Sequence, residues 1–242
     1  MRVDVVVIVE AVVPARLDGQ TVLVVDVLRA STTIVTALAN GALAIVPVTD
    51  ADEARRRLSA YGNGVLLAGE RRGDTVPGFD LGNSPLEMTA ARVRGQTLVF
   101  TTSNGTRALL ACRAAAAVGV AGFVNVTAAA RWAAAGERDV TIVCSGERGA
   151  RSLEDHVCAG RLVNGIVPHA PGATLTEAAR AAAAEAQSYG ADVRRLADDS
   201  AWARHLRRSG RGGDVSACLS LDTSSLVPVC LPGVDKIVAG HP

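Results

Sequence analysis

Residues 141–160 read TIVCSGERGARSLEDHVCAG, and the fold is decided by how this stretch is parsed. Thr141, Ile142, Val143 and Cys144 are apolar and rich in β-branching, as at the end of a strand buried on both faces. Ser145-Gly146-Glu147-Arg148-Gly149 breaks that pattern with small and charged residues. Ser152 then has Asp155 three places on, close to a capping box, and Leu153/Val157 and Cys158/Leu162 pair along a helix. Strand end, polar loop and helix start are where open α/β sheets place ligands, because unpaired helix N–H groups favour anions. Glu147, Glu154 and Asp155 add negative charge at this corner, so a cation is expected to meet the anion there.

The same unit recurs outward along the chain. The N-terminal MRVDVVVIVEAVV reads as a strand rather than a signal peptide, since Asp4 and Glu10 interrupt its apolar part. TVLVV (21–25) is a second strand ending at Asp26, followed by Arg29 and a helix from Ser31 to Ala39 that Asn40-Gly41 closes. Strand 44–48, a Thr49-Asp50 cap with helix 51–60, and strand 65–68 leading to Gly69-Glu70-Arg71-Arg72-Gly73 complete a βαβαβ unit. The second unit runs as strand 96–100, Ser103-Asn104-Gly105-Thr106 and an alanine-rich helix to Ala117. Strand 122–126, a helix capped by Thr127 and strand 140–144 follow. Offsets of 76 to 78 relate Thr21 to Thr97, Val48-Thr49 to Val126-Thr127, and Gly69-Glu70-Arg71 to Gly146-Glu147-Arg148. They predict an internal duplication: two similar halves, 1–95 and 96–172, in a layered α/β/α structure with the site between them. The polar, glycine-rich segment 75–88 reads as a loop over the site, with Asn83 or Ser84 capping a Pro85 turn. Residues 173–242 read as a helical segment packed on this body, with Asp214 capping a short helix, one strand at 227–231 and a featureless tail. It serves as a helical cap or a dimer surface, which makes a homodimer one expectation.

Composition narrows the function. A chain of 242 residues can bury roughly 70–75% of its unfolded surface. No apolar run approaches the ~18 residues of a membrane helix. A net charge of +1, no basic block and 3% aromatics leave neither the footprint nor the stacking rings of a nucleic-acid binder. Five cysteines without C-x-x-C spacing suit a reducing cytoplasm rather than a zinc site or disulfide framework.

Four strand ends deliver the polar residues: Asp26 and Arg29; Glu70, Arg71 and Arg72; Ser103, Asn104, Gly105, Thr106 and Arg107; Ser145, Glu147 and Arg148. Carboxylates are hard ligands for Mg²⁺ and arginines pair with phosphate or carboxylate oxygens, so a small phosphorylated acid held through a divalent metal fits the set. Each piece also has a plainer reading: Asp26 and Ser103–Thr106 as turn or cap residues, Glu154 and Asp155 as a solvated first turn. A cysteine-nucleophile phosphatase needs C-x5-R, and Ala150 stands where Cys144 requires arginine. A D-x-D aspartyl phosphatase needs a carboxylate where Leu28 stands, and no phosphate-binding G-x-x-x-x-G-K-[ST] is present.

The segments VDVLRASTTI (25–34), GERRGDTVPGFDLGNSPLE (69–87), FTTSNGTRAL (100–109) and CSGERGARSLEDHVCAG (144–160), with DVSACLSLDTSSLVP (214–228) more weakly, resemble the 2-phosphosulfolactate phosphatases. These are Mg²⁺-dependent enzymes of coenzyme M biosynthesis. The resemblance implies hydrolysis of 2-phospho-3-sulfolactate to 3-sulfolactate and phosphate. Arg29, Arg71, Arg107 and Arg148 are candidates for the three acidic groups of that substrate, joined by Asn83, Ser103, Asn104, Gly105, Thr106 and Ser145. Asp26, Glu147, Glu154 and Asp155 are the expected Mg²⁺ ligands, with in-line attack by water and a proton from Glu70 or Glu147. Two alternatives remain open at this point: a phosphatase or phosphotransferase of another small 2-phosphorylated acid, and a non-catalytic anion-binding module.

Overall fold

Successive residues of one strand are buried in different cores. In TVLVV, Val22 and Val24 pack into one apolar cluster while Leu23 and Val25 pack into another. Strand side chains alternate between faces, so a wholly apolar strand needs a layer on each side. A computed structural model describes residues 1–61, 64–231 and 233–240; positions 232, 241 and 242 of the C-terminal segment lie outside the described residues. The elements, in chain order, are β1 (Arg2–Val6), β2 (Thr21–Val25), α1 (Ala30–Ala39), β3 (Ala44–Pro47), α2 (Ala51–Tyr61), β4 (Val65–Arg71) and β5 (Asp74–Thr75). They continue with α3 (Ala90–Val93), β6 (Thr97–Thr101), α4 (Gly105–Ala111), β7 (Ala117–Ala121), α5 (Val126–Ala135), β8 (Val140–Cys144), α6 (Leu153–Ile166) and β9 (Thr174–Leu175). The last are α7 (Glu177–Tyr189), α8 (Leu196–Asp199), α9 (Ala201–Arg208), α10 (Gly212–Cys218), β10 (Val227–Cys230) and β11 (Ile237–Gly240).

The strands join in the order β5-β4-β6-β3-β11-β10-β7-β2-β8-β1-β9. Two parallel triplets, β4-β6-β3 and β7-β2-β8, flank an antiparallel β10–β11 hairpin. The layered α/β/α expectation holds, with the two α/β/α units sharing a middle layer. Helix α2 covers one face of the first triplet, α1 and α4 fill the space between the triplets, and α5, α6 and α7 cover the outer face of the second. Through the hairpin the two triplets run in opposite directions. A flat sheet would therefore put their carboxyl ends on opposite edges; residues from both sets of ends nevertheless line one cavity, so the sheet curls around α1 and α4.

The triplets do not correspond to two separate sequence halves. Each central strand comes from the other half: β6 lies between β4 and β3, and β2 lies between β7 and β8. Pairing β2 with β6, β3 with β7 and β4 with β8 nevertheless gives both triplets the same order.

Three local expectations need correction. Helix α4 stops at Ala111, and the alanine-rich Ala117–Ala121 is strand β7, because it lies between two apolar layers where tertiary packing outweighs alanine's helix propensity. Residues 122–126 are a 3-10 turn running into α5, so the Val48/Val126 equivalence fails and Thr127 lies inside the helix. At that entry Asn125 accepts from Gly122 N and donates to Val120 O and Leu226 O, while Thr127 bonds to Asp222. The tail forms β11, antiparallel to both β10 and β3. Alanine-rich α7 packs closely on α6: a Cβ on Gly160 would stand 1.9 Å from the Ala182 carbonyl oxygen.

Candidate active site

Asp26 is aimed by the turn between β2 and α1. Its backbone N–H donates to Ser31 Oγ (2.9 Å), its carbonyl accepts from Ser31 N (2.9 Å), and its carboxylate accepts from Ala30 N (3.3 Å). Glycine is required at 105, since a Cβ there would lie 2.6 Å from both Asp26 Oδ2 and Ala30 Cβ. Asp155, from the first turn of α6, ties the ends of β2 and β8 together. It accepts from Val27 N (2.8 Å), Ser145 Oγ (3.2 Å) and Gly146 N (3.2 Å).

Two arginine-bearing hairpins face this corner. Arg72-Gly73 joins β4 to β5 with φ of 56° and 91°, and Arg148-Gly149 joins the bridged Glu147 and Ala150 with φ of 51° and 73°. Positive φ at both central residues is the geometry of a two-residue turn matched to strand twist. Structurally, Arg148 therefore corresponds to Arg72, although the Gly-Glu-Arg repeat pairs it with Arg71. Arg71 instead donates to Glu70 O, Thr49 O and Thr101 Oγ1. Glu70 accepts from Gly73 N (2.7 Å) and Ser103 N (2.7 Å), binding the first hairpin to the β6–α4 turn. Asn104 reaches across to Glu147 (3.2 Å).

These groups surround a cavity of about 490 Å³. Of the residues that the sequence places at strand ends or in the covering loop, Asp26, Arg29, Glu70, Arg72, Asn83, Ser103, Asn104, Glu147 and Arg148 line it; Leu28 and Trp202 line it as well. The other expected residues do not. Gly105 is buried against Asp26, and Thr106 is closed into its own turn by reciprocal bonds with Thr102. Arg107 is exposed and pairs with Glu10, Ser145 donates to Asp155, and Arg71 is held as above. Glu154 is buried beside Ser152 and Ser200, and Asp155 spends its oxygens on the strand ends. Asp214, read as a cap, lies inside the first turn of α10, accepting from Arg29 (2.6 Å) and Ser84 Oγ (2.5 Å). Arg29 also donates to Gly73 O (2.9 Å). Arg72 was legible as the Arg-Gly turn pair; Trp202 and Asp214 carry no local signal, because they arrive from the C-terminal segment through tertiary packing.

Burial is the main cause that pushes the Asp26 carboxyl up to about 7, and the nearby Glu70 and Glu147 push in the same direction. Burial likewise raises Glu147, with Arg148 opposing and Glu154 and Glu70 reinforcing. Asp155 is raised by burial and by Asp26. Such a cluster suits a hard divalent cation. Among the described residues no three His, Cys, Asp or Glu side chains converge as a complete metal cage. Mg²⁺ commonly takes one or two carboxylates and completes its shell with water and phosphate oxygens, so Asp26 and Glu147 at the cavity wall fit it. Asp155 and Glu154, bonded elsewhere, do not. Cys144 is fully buried, and burial holds its thiol well above the usual range, consistent with the missing C-x5-R.

Carboxylates and arginines gathered at the carboxyl ends of parallel strands place this chain among layered α/β enzymes of small, highly charged substrates. Comparison with known proteins narrows the class. The chain belongs to the 2-phosphosulpholactate phosphatase family, which it matches over residues 6–232, and is thus a phosphoric monoester hydrolase. It is 39% identical over 220 residues to a probable 2-phosphosulfolactate phosphatase of Symbiobacterium thermophilum, covering 90% of this chain and 94% of that protein. A protein of the same description from Clostridium acetobutylicum is 32% identical over 228 residues, covering 94% and 97%. Another from Gloeobacter violaceus is 40% identical over 206 residues, covering 84% and 85%. Among the described residues, no helix is long and apolar enough to cross a membrane.

Proposed function

We propose that this protein hydrolyses 2-phospho-3-sulfolactate to 3-sulfolactate and inorganic phosphate, with Mg²⁺ held by Asp26 and Glu147. The observation that carries this reading is one cavity in which Asp26, Glu70 and Glu147 face Arg29, Arg72 and Arg148. A three-carbon acid bearing phosphate, carboxylate and sulfonate needs several cations at short range, and arginine's planar fork matches each of these anions. When bound, Mg²⁺ would supply charge neutralisation at the phosphoryl oxygens. Glu70 acts by position: its bonds to Gly73 N and Ser103 N set the distance between two walls of the cavity. Arg29, neutralised in part by Asp214, is held rigid for a second anionic group. In the reaction the oxygen of water joins phosphorus, the phosphorus–ester oxygen bond breaks, and the ester oxygen leaves with a proton as the 2-hydroxyl. Free cysteines, four of them buried and Cys230 partly so, suit a cytoplasmic protein.

Phosphate release from 2-phospho-3-sulfolactate and other 2-phospho-acids, with Mg²⁺ and with excess chelator, tests the reading. Release that requires Mg²⁺ and is fastest on the sulfonated acid supports it. Full activity in chelator with no retained metal, or no release from any of the acids, defeats it. Single-turnover hydrolysis of substrate made chiral at phosphorus with oxygen isotopes separates the roles of Asp26. Inversion supports direct attack by water with Asp26 holding the metal, whereas retention, from two successive displacements through an aspartyl phosphate, makes it the nucleophile.

A further inference from the structure

The cavity wall is charged or polar except at Leu28 and Trp202. Trp202 comes from α9, outside the sheet, and its indole is held along three sides. Nε1–H donates to Leu28 O (3.0 Å), in the loop that carries Asp26 and Arg29. The ring stacks on His205 with centroids 4.8 Å apart and planes at 15°. Its far edge faces the Arg72-Gly73 turn, where a Cβ on Gly73 would stand 3.7 Å from Cη2 and 3.8 Å from Cζ2. A tryptophan with its N–H satisfied and only two side-chain torsions is a rigid surface. Such a surface offers nothing to phosphate, carboxylate or sulfonate oxygens; what it matches is carbon.

We propose that Trp202, with Leu28, is the specificity wall of this site: it packs on the substrate's carbon chain beyond the phosphate-bearing carbon and sets its length. The inference rests on the proposed reaction and adds to it a reason for choosing among 2-phospho-acids. The indole touches Leu28 and Gly73, the chain neighbours of Arg29 and Arg72, and both arginines line the cavity, so an acidic group at the end of a short chain reaches a guanidinium, while a longer chain collides with the indole. Trp202 is therefore a specificity-determining residue rather than a catalytic one.

The test measures kcat/KM of wild type, Trp202→Phe and Trp202→Ala on 2-phosphoglycolate, 2-phospholactate, 2-phospho-3-sulfolactate and the homologue one methylene longer. Trp202→Phe keeps the wall and loses the bond to Leu28 O, so its rates fall about three- to tenfold with the substrate order unchanged. Trp202→Ala opens the wall and raises the preference for the longer homologue over the three-carbon acid at least tenfold. An unchanged ratio in folded Trp202→Ala overturns the inference. Should that variant fail to fold, tryptophan emission of wild type on adding 3-sulfolactate decides. A change that disappears in Trp202→Phe, which retains Trp132, supports contact; no change at saturation removes it. If wild type hydrolyses none of these acids, the proposed function falls first, and the emission titration, repeated with inorganic phosphate, still decides whether ligand meets the indole.

Discussion

At the scale of single residues, Asp26 carries the most chemical information. Its carboxyl sits at about 7 in the folded protein against 3.8 as a free side chain. Between these values the native state holds a proton that the unfolded chain has lost, so this group's contribution to stability is complete below about pH 4 and is lost as pH rises through about 7. In metal-free protein, Asp26→Asn is expected to raise Tm at pH 8 and to leave it nearly unchanged at pH 4. Mg²⁺ should raise the Tm of wild type at pH 8 by mass action, and that of the variant much less. Thermal melts at both pH values, with and without Mg²⁺, check this; a variant less stable than wild type at pH 8 would contradict it. Cys144 is the converse case, a chemically suggestive residue with a packing role. Cys144→Ser should lower stability by roughly 1–3 kcal/mol through a buried hydroxyl, while activity per folded molecule stays within about tenfold. A thousandfold loss with the fold intact would restore a thiol mechanism.

At the scale of elements, the two Arg-Gly hairpins account for a divergence between sequence repeat and structural repeat. A turn needing two positive φ values fixes which arginine sits at its tip. In the first hairpin that is Arg72, while Arg71 belongs to the strand and bonds to Thr49 and Thr101. Arg72→Ala should therefore raise KM at least tenfold with little change in Tm, and Arg71→Ala should lower Tm with a smaller effect on KM. Steady-state kinetics beside thermal melts distinguish them, and the reverse pattern would return the binding role to Arg71.

At the scale of the whole molecule, the β10–β11 hairpin is the only connection in the hydrogen-bonded ladder between the two triplets among the described residues. Each triplet supplies part of the cavity, with Glu70 and Ser103 from one and Asp26 and Glu147 from the other. A chain ending at residue 226 exposes an edge of β3 and an edge of β7 and uncovers their shared core. It is expected to lose cooperative unfolding and phosphatase activity together, measured by near-ultraviolet circular dichroism during melting and by phosphate release. An active, cooperatively folded truncation would show that α1 and α4 alone hold the triplets in register.

The local determinants of this protein are written along the chain. Apolar strands ending near Asp26, Glu70, Ser103 and Glu147, each followed by a polar turn, determine an α/β structure and the residues at its strand ends. They do so because strand alternation, turn chemistry and capping act over a few residues. The exchange of β2 and β6 between triplets, the curl that makes opposed strand ends meet, and the entry of β10–β11 into the sheet were decided only in three dimensions. So were the wall at Trp202 and the Asp214 partner of Arg29, each more than a hundred positions from the residue it bonds, Leu28 and Arg29 respectively. So was the withdrawal of Thr106, Glu154 and Asp155 from the cavity, since a polar side chain near a strand end can satisfy the backbone or face a ligand. Which it does depends on the donors that packing brings beside it, and for Asp155 those are Val27, Ser145 and Gly146.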